Sequence, residues 1–210
     1  MYIQSRVVPN LTIETSNPYL YKKTESALFK ISAKPIGQAL LREINSLARN
    51  ERCAFVIPDE SFDCSAKPML TYSQLKTYGP PPIDEDEDKW NMYKAIELVT
   101  STQKGGKGVG TTAVSYWNPN EFIHIDLFGH SHKVINQYSS FLSLAHELIH
   151  VRNILKGDVL INSEGGLSRI LEEEYRVLGL PPYHDEPITE NKIRLEHGYP
   201  YRFDYQHLDN

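Results

Sequence analysis

SFLSLAHELIHVRNILK, running from Ser140 to Lys156, is the stretch on which the reading of the chain turns. Phe141, Leu144, Leu148, Val151 and Leu155 recur at helical spacing and Gly157 follows as a stop, so the spacing predicts an amphipathic helix. On it stands His146-Glu147-Leu148-Ile149-His150, the HExxH pattern. Histidines at i and i+4 lie one above the other, so two imidazoles can reach one Zn²⁺ at about 2.0 to 2.1 Å. Glu147, one residue on, projects beside such a metal and can take a proton from water held there.

A catalytic zinc needs a third protein ligand and an open fourth position. The extended HExxHxxGxxH pattern is absent, because Asn153 and Lys156 stand where its glycine and histidine would be. The other common solution is a carboxylate on a second helix. SEGGLSRILEEEYRVLGL, residues 163–180, offers Glu172, Glu173 and Glu174. Leu167, Ile170, Leu171 and Leu178 form a helical stripe with Glu174 in its middle, which singles out Glu174 as the ligand, since a carboxylate buried without a partner is costly. Glu173 beside it is suited to hydrogen-bond a ligand histidine.

Outward from this centre, TAVSYW and EFIHIDLF read as two strands of a hairpin turned at Asn118-Pro119-Asn120. Within HIDLFGHSH, His124, Asp126, His130 and His132 form a second polar group. His124 and Asp126 would share one side of a strand, so a metal site is conceivable, but the polar face at a strand end explains the pattern without a ligand role. The glycine-rich TQKGGKGVGTT, residues 102–112, fails as a phosphate loop because Lys107 precedes Gly108 and a strand follows, so it reads as a mobile loop. YGPPPIDEDEDKW reads as a surface loop with an acidic run from Asp84 to Asp88. CAFVIP, ending at Pro58, reads as a short buried strand, and Pro35 opens a helix with Ile36, Leu40, Ile44 and Leu47 on its apolar face. Residues 1–34, broken by Pro9 and Pro18, read as a mostly irregular, flexible N-terminal leader ahead of one domain at residues 35–210.

Composition sets the outer limits. The chain has 210 residues, of which 40% are hydrophobic and 10% aromatic, enough apolar surface for one folded core. A mean hydropathy of -0.45 and the lack of a long apolar run exclude a transmembrane segment. A net charge of -5 without a basic stripe argues against a nucleic-acid partner. Cys53 and Cys64 are too few and too poorly spaced for a disulfide framework or a thiolate zinc site, and the N-terminus lacks the apolar core of a Sec signal.

HELIH, EEYRVLG and ITENKIRLEHGYPYRFDY together resemble the NleD-like family of type III secreted effector zinc metallopeptidases, from Thr111 onward. HELIHVRNILKG and EEYRVLG are also similar to the zinc helices of clostridial neurotoxin proteases, whose second glutamate of the EExxTFG segment aligns with Glu174. Val177 departs from both, standing where they tend to carry threonine. Arg202 and Tyr205 have the RxxY spacing that in the neurotoxin proteases brings a guanidinium and a phenol to the scissile carbonyl, with His197 and Tyr199 as weaker alternatives. The resemblance implies delivery by a type III system into the host cell cytoplasm and a host protein substrate. Its precedent is the activation loop of mitogen-activated protein kinases.

The expectation is therefore an α+β, zincin-like fold with a small twisted sheet on the HExxH helix and a helical C-terminal part. One Zn²⁺ per chain is held by His146, His150 and Glu174, with Glu147 as general base and Arg202 and Tyr205 stabilising the oxyanion. An extended peptide is expected along an edge strand of the hairpin. Two other readings stay open: a non-catalytic interaction protein with a structural zinc, and a zinc amidohydrolase on small substrates.

Overall fold

The computed structural model describes residues 1–101, 106–160 and 167–205, and the side chains among these except those of residues 167–171. Five strands form the main sheet: β1 (Tyr2–Gln4), β2 (Leu11–Glu14), β3 (Ala54–Pro58), β4 (Ser65–Met69) and β5 (Thr112–Trp117), in the order β1-β2-β3-β5-β4. The centre is parallel, β2 to β3 and β3 to β5, while β1 and β4 close the edges antiparallel. A separate antiparallel pair, β6 (Glu121–Ile125) and β7 (Ser131–Ile135), stands apart from it. The helices are α1 (Pro18–Ser32), α2 (Pro35–Leu47), α3 (Tyr72–Tyr78), α4 (Glu87–Val99), α5 (Phe141–Lys156), α6 (Leu167–Leu178) and α7 (Glu190–Glu196).

The HExxH helix α5 is the hub, packing against β4, β5 and β6 as well as α1, α2, α6 and α7. Its apolar positions Leu144, Leu148, Val151 and Leu155 are fully buried against Leu40 and Ile44 of α2 and Trp117 of β5. Trp117 further donates its indole Nε1-H to the Ser140 carbonyl at 3.1 Å, tying the end of β5 to the start of α5. The helix stops at Gly157, whose φ is +66°. A Cβ there would lie 2.2 Å from the Gly108 oxygen, so only glycine permits the close pass of the 106–110 loop. The expected helix at Pro35, the strand ending at Pro58 and the HExxH helix are all present.

Three expectations are corrected. Residues 1–34 are not an irregular leader: they supply β1, β2 and α1, and Leu11, Ile13, Leu28 and Ile31 are fully buried in the common core. Asn17 caps α1 by accepting from Tyr19 N at 2.9 Å, and Pro18 opens its first turn. β5 and β6 both exist but are not partners, because β5 is already bonded on both sides by β3 and β4, so β6 pairs with β7 instead. The acidic run is not all loop. Asp86 caps α4 by accepting from Lys89 N at 2.9 Å, and Glu87 and Asp88 occupy its first turn, where the positive end of the helix dipole offsets their repulsion.

A chain lacking residues 1–34 is expected to lose cooperative folding, since it forfeits two strands, a helix and four fully buried aliphatic side chains. The milder Leu28→Ala change should cost about 2 to 5 kcal/mol in denaturant unfolding. A truncated chain with the full-length thermal midpoint would contradict this packing.

Candidate metal centre

One turn of α5 brings His146 and His150 onto the same side, facing the adjacent α6. Their Nε2 atoms lie 3.2 Å apart, and Glu174 reaches both, Oε2 at 3.1 Å from His146 Nε2 and Oε1 at 3.2 Å from His150 Nε2. The apolar stripe that pointed to Glu174 at Leu167, Ile170 and Leu171 lies outside the described side chains. Within the helix, Glu173 and Glu174 are buried and Glu172 is exposed.

Each imidazole has a carboxylate behind it. Glu190, at the start of α7, lies 2.7 Å from His146 Nδ1, and Glu173 lies 3.7 Å from His150 Nδ1. Glu173 is fixed in turn by donors from Asn153 at 2.8 Å, Leu160 N at 2.9 Å and Arg176 at 2.7 Å. Glu190 accepts from Arg194 Nε at 2.5 Å and has the Arg202 guanidinium at 3.5 Å. Arg194 also donates to the Ile123 carbonyl at 2.7 Å, which anchors α7 to β6. An imidazole whose Nδ1-H points at a carboxylate turns its Nε2 inward, and that nitrogen offers a lone pair once a metal displaces its proton.

That arrangement fits a cation. His146, His150 and Glu174 each offer one ligand atom, all within 4.8 Å of one another. Adjacent ligands of a tetrahedral zinc at 2.0 to 2.1 Å are about 3.3 Å apart, close to the separations seen. Among the described residues, Glu174 Oε2 is buried, makes no well-formed hydrogen bond and has only the His146 ring at 3.1 Å, an arrangement that a metal between them would satisfy.

Electrostatics agree with this. Burial alone would lower the His146 pKa, but Glu174 and Glu190 outweigh it and hold it up to about 9. His150 is likewise raised against its burial, chiefly by Glu174. Burial would raise the Glu174 carboxyl, yet the two imidazoles hold it well below the usual carboxylate range. Glu147, buried on the same helix, is shifted upward by its burial, against the pull of His146 and His150.

A cavity of about 710 Å³ opens over the cluster, lined by Glu147, Glu174 and Tyr205 and bounded on the sheet side by Ser65 and Ala66 of β4. Tyr205 is half-buried there, its hydroxyl pKa raised by burial and then by Glu174. Arg202 is buried and also lines the cavity, its NH2 giving to the Tyr205 carbonyl at 2.6 Å while its Nε has no partner among the described residues. His197 and Tyr199 are drawn elsewhere: His197 meets Phe141 edge to face with ring centres 4.9 Å apart, and Tyr199 bonds Ser139 at 2.9 Å. Cys53 and Cys64 are free thiols, and burial pushes that of Cys64, on the cavity wall, far up.

Sequence reasoning passed over Glu190. Its signal was present as Thr189-Glu190 opening a helix with Arg194 four residues on, but an i,i+4 pair reads equally well as a solvated helix face.

Fold and site together define the class: an α+β domain that brings two histidines of one helix and a glutamate of a second together beneath one cavity. The chain belongs to the peptidase M91 family, whose model, described as effector protein, matches residues 10–205. No curated protein matches it. Among solved structures, the catalytic domain of Clostridium botulinum neurotoxin serotype F is similar at 15% identity, covering 82% of this chain and 54% of that one, with a TM-score of 0.44. The serotype F light chain matches at 15% identity over 83% and 47%, TM-score 0.42. The botulinum neurotoxin type G light chain matches at 14% over 70% and 43%, TM-score 0.36. The chain thus spans about half the length of these structures.

Metal-free protein should carry the mark of these raised histidines. A folded pKa above the ordinary histidine value of about 6.5 contributes stability that is complete below that value. For His146 it is lost as the pH rises through about 9. The thermal midpoint of the metal-free chain is therefore expected to fall between these limits, and to fall less in His146→Gln. A midpoint flat across the same window in the metal-free wild type would contradict the pairing.

Proposed function

We propose that this chain is a zinc-dependent endopeptidase in which His146, His150 and Glu174 hold the metal and Glu147 is the general base. The observation that carries the reading is the buried Glu174 carboxylate set against two imidazole nitrogens beneath an open cavity. Membership of a peptidase family supports the reaction class. Zinc, when bound, supplies Lewis acidity that acidifies a water and polarises the scissile carbonyl.

The remaining work falls to side chains. Glu147 accepts the proton of the attacking water at its carboxylate and passes it to the leaving amine, a task that its upward-shifted pKa favours. Tyr205 presents its hydroxyl to the oxygen that gains charge, and Arg202 stations Tyr205 while compensating Glu190. Glu190 and Glu173 hold the tautomer and orientation of the two histidines.

An extended peptide can be received along β4 as well as along β6, whose Glu121 and Ile123 also line the cavity. β4 is the edge of the main sheet, Ser65 and Ala66 border the cavity, and Pro68 is tolerated because an edge strand need not donate on its free side. The effector family supports a host protein as substrate and action inside a host cell. Mitogen-activated protein kinases, delivery by a type III system and the host cytoplasm are the precedents that the sequence resemblance brings.

Glu147→Gln should keep its zinc and its fold and lose peptide cleavage by on the order of 100 to 10,000-fold, since the base is not a ligand. Turnover at the wild-type rate, followed by mass spectrometry of peptide products, would place the chemistry elsewhere. Tyr205→Phe, which deletes one hydroxyl, should lower kcat by about 100 to 1000-fold with KM and zinc content little changed. An unchanged kcat makes Tyr205 structural.

A further inference from the structure

The turn between β6 and β7 gathers a second set of metal-ligating groups that shares no residue with the first. Asp126, His130 and His132 offer one ligand atom each, all within 4.8 Å of one another. The fourth polar residue of the stretch, His124, is exposed on the strand and outside this group. Asp126 divides its carboxylate between two tasks. Its Oδ1 accepts from the backbone N-H groups of Phe128 at 2.8 Å and His130 at 2.9 Å, which fixes the turn, and Gly129 takes the φ of +88° that this turn requires. Its Oδ2 is thereby aimed at both imidazoles, 3.0 Å from His132 Nε2 and 3.4 Å from His130 Nδ1.

These separations bracket the spacing of about 3.3 Å between neighbouring ligands of a tetrahedral zinc. They also match the 3.1 and 3.2 Å between Glu174 and its two histidines. One ion pair would account for one histidine, but here two imidazoles from different positions of the turn converge on a single oxygen. The His₂Asp set is of the nitrogen and oxygen type that takes Zn²⁺ or a neighbouring first-row divalent ion.

We propose that Asp126, His130 and His132 form a second divalent-metal site that clamps the β6–β7 turn. The turn is also the seat of the C-terminal segment. Ser131 donates to Asp204 at 2.9 Å, and the Phe203 ring lies 3.6 Å from the position of a Cβ on Gly129. Arg202 and Tyr205 flank those two residues, so a metal here would brace the segment that bears them. The chain would then carry two zinc ions, where the HExxH motif alone implies one.

Equilibrium dialysis against a fixed free zinc concentration, with elemental analysis, tests this. Two variants keep the fold at least risk: His130→Ala removes a side chain that is 58% exposed, and Asp126→Asn retains an oxygen for the two turn amides while losing the charge. Wild type should hold about one zinc more than either variant, with metal-free thermal midpoints alike. His150→Ala combined with His130→Ala should lose a further zinc relative to His150→Ala alone, which separates this site from the cavity. Equal zinc in wild type, His130→Ala and Asp126→Asn would make the turn an ion-paired loop and overturn the proposal.

Discussion

A carboxylate set between two imidazoles inside the protein is the interaction from which the rest of the architecture follows. Glu174 lies 3.1 and 3.2 Å from the Nε2 atoms of His146 and His150, all three largely withdrawn from water. Burying such groups without compensation would cost several kcal/mol per ion, so the surrounding chain is organised to supply it. Glu190 and Glu173 stand behind the histidines, and Arg194, Arg202 and Arg176 stand behind the glutamates. Charge alternates outward in layers.

Those layers explain why elements far apart in sequence must meet. α5 supplies the histidines, α6 Glu174 and Glu173, α7 Glu190, and the following segment Arg202 and Tyr205. The network also reaches the surface away from the cavity. Asn153, which donates to Glu173, accepts from Arg152 at 3.1 Å, and Arg152 donates to Glu43 of α2 at 2.6 Å. The main sheet contributes a rigid floor and one free edge, β4, beside the cluster.

Much of this was legible in local pattern. The HExxH helix announces itself by the phase of Leu144, Leu148, Val151 and Leu155, and all four prove buried. Glu174 was separable from Glu172 because a helix allows only some of three successive glutamates to face inward. Glu173 was legible only in role, since it too is buried, held by Asn153 and Arg176. What failed was non-local. β2 has four residues, and its parallel pairing with β3 across some forty intervening positions leaves no periodic trace. The buried Thr24, Ala27, Leu28 and Ile31 do keep helical spacing, but the prolines around them and a Lys-rich outer face hid it. The hairpin was mispaired because an Asn-Pro-Asn turn signals reversal without saying which strand is received.

The zinc cage proposed for His146, His150 and Glu174 is open to direct observation. Anomalous diffraction at the zinc edge from crystals of the zinc-loaded protein tests it most directly. A peak is expected at about 2.0 to 2.2 Å from both Nε2 atoms and from a Glu174 oxygen. A peak ligated by Glu173 in place of Glu174, or no peak between the two histidines, would contradict it.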